Sequence, residues 1–150
     1  MKIIALNKTA SFNYFLLETL ETGIVLTGFE VKSLRAGKVN LSDSFVKIVD
    51  NELYLVNAHI AEYEKATNVQ VNTRRDRKLL AHKNQIIKFK NKSNQKGLTI
   101  VPTKMYFSGS NVKVEIALAK GKQLFDKKNT LKEKDQKRDL DNYIKNNRIV

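Results

Sequence analysis

Leu98-Thr99-Ile100-Val101-Pro102-Thr103-Lys104-Met105-Tyr106-Phe107, then Ser108-Gly109-Ser110-Asn111, then Val112-Lys113-Val114-Glu115-Ile116-Ala117-Leu118, sets the architecture of this chain. Side chains of a strand alternate between its two faces. Val112, Val114, Ile116 and Leu118 therefore point to one side, and Lys113, Glu115 and Ala117 to the other. Serine, glycine and asparagine between the two runs supply a turn. Pro102 has no amide proton to give a ladder, which predicts a bulge or an edge position in the first strand.

The same signals recur upstream. Phe45–Val49 and Leu53–Ile60 read as two strands joined at Asp50-Asn51, with Tyr54, Val56, Ala58 and Ile60 on one face and Asn57 and His59 on the other. Residues 14–26 read as a hairpin turning at Glu21-Thr22-Gly23. Thr27-Gly28-Phe29-Glu30 has capping-box spacing, so a short helix follows and stops at Gly37. Residues 61–78 read as a polar loop, and residues 79–92 as a helix with Leu79, Leu80, Ile86, Ile87 and Phe89 supplying apolar contacts. About six short antiparallel strands with two or three flanking helices describe a mainly β chain, and the expected form is a small OB-like barrel over residues 1–119.

From residue 120 onward the character changes. Apolar residues are sparse and surrounded by charge, although Thr130-Leu131-Lys132-Glu133 has capping-box spacing and Glu133 and Lys137 form a favourable i,i+4 pair. A helix with no continuous apolar stripe cannot hold itself against a core. Residues 120–150 are therefore expected to be a basic tail, mobile alone and helical when bound.

The net charge of +13 is unevenly spread. Residues 1–64 hold six basic and eight acidic side chains, residues 65–119 twelve and two, and residues 120–150 ten and five. A concentrated positive field attracts a polyanion, and each neutralised phosphate releases counterions. Nucleic acid is the favoured partner; an anionic membrane and plain solubility are the alternatives. No apolar run approaches the length of a membrane span, and cysteine is absent, so the expected setting is the cytoplasm. His59 and His82 lie on different elements, no phosphate-binding glycine loop or nucleophile elbow is present, and no cofactor or metal is expected. The dispersed carboxylates Glu18, Glu21, Glu30 and Asp43 leave a metal-dependent ribonuclease as the enzyme alternative. A basic ribosomal protein or translation factor is the alternative among binding proteins.

Several stretches resemble the small protein B family of tmRNA-binding proteins: Gly28 through Lys38 (GFEVKSLRAGK), Asn40 through Phe45 (NLSDSF), Arg77-Lys78-Leu79-Leu80, Lys96 through Pro102 (KGLTIVP) and Ala119-Lys120-Gly121-Lys122. The similarity runs in order from about Ala5 to about Lys134. The resemblance implies a non-enzymatic adaptor, one monomer per tmRNA, whose barrel grips the tRNA-like domain of tmRNA. Its tail is implied to enter a stalled ribosome and occupy the vacant small-subunit decoding region, against ribosomal RNA, and the mRNA path. Carried over by position, tmRNA contacts fall on Glu21, Leu80 and Lys113. Arg75, Arg77 and Lys78 are candidate phosphate contacts by their charge, with a solvated loop as the alternative. Decoding-region contacts fall on Lys120, Gly121, Lys122, Phe125, Asp126, Lys127 and Lys128. Two positions depart from the family pattern: Lys128 stands where an arginine is usual, and Asp76 where a threonine is usual between the loop arginines.

Overall fold

A computed structural model describes residues 2–62, 72–95 and 97–122. The described residues are mainly β with three short helices, and every paired strand among them is antiparallel. In chain order the elements are β1 (Lys2–Leu6), α1 (Lys8–Asn13), β2 (Tyr14–Ile24), α2 (Gly28–Arg35), β3 (Val39–Asn40), β4 (Phe45–Val49), β5 (Glu52–Val56), β6 (His59–Ile60), β7 (Arg77–Leu80), α3 (Lys83–Ser93), β8 (Leu98–Ser108) and β9 (Asn111–Gly121). Seven strands form one sheet in the order β1-β8-β9-β2-β7-β5-β4, and β3 pairs with β6. Among the described residues no ladder joins the end strands β1 and β4. Val46 of β4 nevertheless packs in the same buried cluster as Ile100 and Met105 of β8, so the sheet curls around a single main core. No helix of the described residues is long and apolar enough to cross a membrane.

The β8–β9 hairpin forms as the alternation requires, with Val114, Ile116 and Leu118 buried. The ladder shifts register between Pro102 and Lys104, which is the bulge that proline demands. Ala117, expected outward, is buried as well. Helix α1 covers that end of the outer face, where Ala10, Val101 and Ala119 form a second apolar cluster. Asp50 and Asn51 both take positive φ, 52° and 60°, and close the β4–β5 hairpin as a tight turn.

Three local expectations are corrected. Residues 14–24 make one long strand, not a hairpin, because Glu21-Thr22-Gly23 pairs with β9 and the Thr22 hydroxyl donates to the Val114 carbonyl at 2.9 Å. Leu53 and Leu55, not Tyr54 and Val56, face the core; the positive φ of Asn57 (65°) reverses the phase before Ala58 and Ile60. Leu79 and Leu80 end a strand, and the helix begins only at Lys83.

Helix α2 carries the capping box that its sequence encodes. The Thr27 hydroxyl accepts from the Glu30 amide at 3.3 Å, and the Glu30 carboxylate accepts from the Thr27 amide at 2.9 Å. The same carboxylate, almost wholly buried, also accepts from Arg75 and, at 2.5 Å, from Nε of Arg77. Arg77 is fully buried, and its remaining donors reach the carbonyls of Ala58 (2.8 Å), Thr73 (3.0 Å) and Arg75 (3.3 Å). Burial pushes the Glu30 carboxyl up, but the hydrogen bonds from Arg75, Thr27 and Arg77 outweigh it, and the net shift is downward. Burial likewise pulls Arg77 down against the attraction of Glu30.

A carboxyl whose pKa falls on folding stabilises the fold above its unfolded value of 4.5. That contribution is lost as the pH drops through the lower folded value. Glu30→Gln, which removes the charge and leaves Arg77 buried, should destabilise the protein by about 3–5 kcal/mol at neutral pH in urea unfolding. The deficit relative to the parent protein should shrink as both are acidified.

Candidate nucleic-acid interface

Residues directly opposite each other in an antiparallel ladder share a face. Gly23 on β2 lies opposite Leu80 on β7 and opposite Lys113 on β9, and Lys113 lies opposite Tyr106 on β8. Their chain neighbours Leu79, Thr22, Val114 and Met105 are buried in the core. The row Leu80–Gly23–Lys113–Tyr106 therefore stands on the outer face of the sheet.

Glycine at the centre of that row leaves a gap. The result is a hollow of about 520 Å³ whose lining includes Glu21, Gly23, Leu80, His82, Gln85 and Lys113. Leu80 is half exposed on one side. Lys113 stands on the other and makes no ion pair among the described residues. Glu21, two residues before Gly23, accepts a hydrogen bond from the Tyr106 hydroxyl. Burial first, and then the Glu21 carboxylate, push the Tyr106 phenol well above its ordinary range, so it remains a donor. An apolar side chain, an ammonium and an acceptor-only carboxylate around one hollow can receive the face, the phosphate and the donor edge of a nucleotide.

Glu21, Leu80 and Lys113, singled out by the resemblance and carried by β2, β7 and β9, thus line one hollow. Gly23 was missed, because a glycine after Glu21-Thr22 reads locally as a turn residue. Its Cα faces Leu80 so closely that an added Cβ would sit 3.3 Å from the Leu80 Cβ.

The loop cations behave differently from expectation. Arg77 is not a surface contact: it is fully buried, and the carboxylate and carbonyls described above occupy its guanidinium. Arg75 is partly exposed but also engages Glu30. Lys78 pairs with Glu52 at 3.0 Å on the surface. Asp76, the departure from the family pattern, pairs with Lys47 at 2.7 Å and so consumes a neighbouring positive charge. The carboxylates Glu18, Glu21 and Glu30 are committed to Lys92, Tyr106 and the two arginines respectively. Among the described residues no three His, Cys, Asp or Glu side chains are grouped to hold a metal ion.

Strand β9 continues through Lys120 and Gly121. The Lys122 amide donates to the Asn13 carbonyl at 2.9 Å, and its ammonium lies 5.0 Å from the Phe15 ring centroid. This end of β9 is about 23 Å from Lys113 by strand rise. Phe125, Asp126, Lys127 and Lys128 lie outside the described residues.

The fold and the hollow define a small, basic, mainly β protein with a hollow on its outer face that pairs a cation with an acceptor. The family described as SmpB protein matches residues 4–146. An SsrA-binding protein of Persephonella marina is 51% identical over 140 residues, covering 93% of this chain and 92% of that one. One from Rickettsia bellii is 52% identical over 145 residues, covering 96% of each. A solved structure described as tmRNA-SmpB on a journey to the center of the bacterial ribosome superposes with a TM-score of 0.68 at 50% identity, covering 80% of this chain and 85% of that one. This chain belongs to the SmpB protein family.

Proposed function

We propose that this protein is a cytoplasmic, non-enzymatic RNA-binding adaptor. It binds the tRNA-like domain of tmRNA and delivers it to stalled ribosomes for trans-translation. The observation that carries the reading is the convergence of Glu21, Leu80 and Lys113 on one outer-face hollow in a chain so similar to SsrA-binding proteins. The curled sheet is read as an OB-like barrel, on the ground that Val46 and Ile100 share a core although β4 and β8 are not laddered. The barrel holds tmRNA at the hollow, one protein to one tmRNA. Lys113 contacts phosphate, Leu80 packs against sugar or base, and Glu21 accepts from a donor edge. Arg75, which shares the single Glu30 carboxylate with Arg77, contributes positive potential nearby, and Lys78 reaches phosphate only by exchanging its pair with Glu52.

The segment from Lys120 onward has a second task. Phe125, Asp126, Lys127 and Lys128 enter the empty decoding region and mRNA path of the small subunit, where an aromatic ring on a basic segment can stack on ribosomal RNA. Lys120, Gly121 and Lys122, held at the end of β9, contact the decoding region from the sheet. The distance along β9 between Lys113 and Lys120 lets one molecule hold two RNAs at once.

Lys113→Ala should weaken tmRNA binding and reduce the slope of log affinity against log salt by about one, because one phosphate contact is lost. Glu21→Ala should weaken binding without changing that slope. Wild-type affinity in both variants would remove the hollow from the function. Gly23→Ala narrows the hollow: affinity should fall while stability stays within about 1 kcal/mol of the parent, and undiminished binding would show that the gap is not used. Truncation after Lys122 should spare tmRNA binding but abolish peptide tagging on stalled ribosomes in a reconstituted translation assay. Tagging by the truncated protein would refute the division of labour.

A further inference from the structure

We propose that Tyr106 is the positioning residue for Glu21: its hydroxyl holds one carboxylate oxygen so that the other is presented into the hollow in a fixed direction. The inference rests on the reading of the hollow as the tmRNA contact. Glu21 stands on an exposed strand face, where a glutamate side chain would otherwise sample several rotamers. The structure shows one partner that limits it. The Tyr106 hydroxyl donates to Glu21 Oε2, reaching diagonally past Lys113 from the second strand away.

Tyr106 is itself enclosed. It is only 4% exposed although it lies on the outer face, it sits between Ile3 of β1 and Lys113 of β9 in the ladder, and the Lys104 ammonium lies 5.6 Å from its ring centroid. A phenol facing a carboxylate can only donate, and the raised Tyr106 pKa keeps the proton on the phenol across the physiological range. Tyr106 is not part of the hollow's lining, whereas Glu21 is. The ring therefore acts on the ligand through Glu21. A carboxylate preorganised in this way loses less freedom on binding and meets a donor edge without rearrangement.

Tyr106→Phe deletes the hydroxyl and keeps the ring. In the full-length protein it should weaken binding of the tmRNA tRNA-like domain about tenfold, the scale of one hydrogen bond to a charged group. The salt slope should not change, since no phosphate contact is lost. Glu21→Ala should weaken binding by a comparable factor, and adding Tyr106→Phe to Glu21→Ala should cost nothing more. The cycle compares variants that share the tyrosine substitution, so any general loosening of the sheet cancels. Wild-type affinity for Tyr106→Phe, or a fully additive loss in the double variant, overturns the positioning role while Glu21→Ala still reports on the site. If Glu21→Ala alone binds as the parent does, Glu21 is no contact and the positioning role falls with it; wild-type affinity for Lys113→Ala as well removes the hollow itself.

Discussion

The carboxylate of Glu30 is the point on which the rest of the structure is hung. It caps helix α2 through the Thr27 amide, and it receives both Arg75 and Arg77. Arg77 carries the tie onward to the Ala58 and Thr73 carbonyls, so α2, the end of the β5–β6 segment and the chain leading into β7 meet at one buried pair. Burying two charges gives little net stability compared with apolar packing, but removing either leaves an expensive orphan. The pair therefore acts as a fixed register mark. Leu80 lies three residues beyond Arg77 on the same four-residue strand, so the position of the apolar wall of the hollow is set from inside the protein.

The hollow is in turn a product of strand pairing. Gly23 is the penultimate residue of an eleven-residue strand but is paired on both sides, a place where glycine ordinarily weakens a sheet. Here its missing side chain separates Leu80 from Lys113 across three strands. On the other side of the sheet the neighbouring Thr22 is buried and bonded to the Val114 carbonyl. The inner face thus holds the strand where the outer face gives up contact.

Where several local signals agreed, the sequence was readable. The β8–β9 hairpin had alternation and turn residues together, and α2 had its capping box followed by Gly37, which takes the positive φ (72°) of a helix stop. Errors arose where tertiary pairing overrode local chemistry. Glu21-Thr22-Gly23 has turn composition, yet two flanking strands hold it extended. Leu79-Leu80 is a short apolar run whose period cannot distinguish strand from helix. The phase reversal at Asn57 follows from one dihedral angle that no alternation pattern reveals. Of the candidate site, the positions Glu21, Leu80 and Lys113 came from resemblance and their meeting from the ladder; Gly23 and Tyr106 had no sequence signal beyond ordinary turn and strand propensity.

Counting basic residues overstated the charge that the loop presents, and the reason is physical. Arginine has five donors in a planar fork, so Arg77 can be wholly buried if a carboxylate and several carbonyls satisfy it. Lys47, Lys78 and Lys92 stay outside but pair with Asp76, Glu52 and Glu18. Such exposed pairs add little stability. Their larger consequence is to cancel charge at short range. Lys113 escapes this: its strand neighbours in the ladder are Gly23 and Tyr106, neither of them acidic, while the nearby Glu21 is already engaged by the Tyr106 hydroxyl. The phenol that fixes the acceptor thereby leaves the cation available, and both halves of a nucleotide contact depend on the same buried ring.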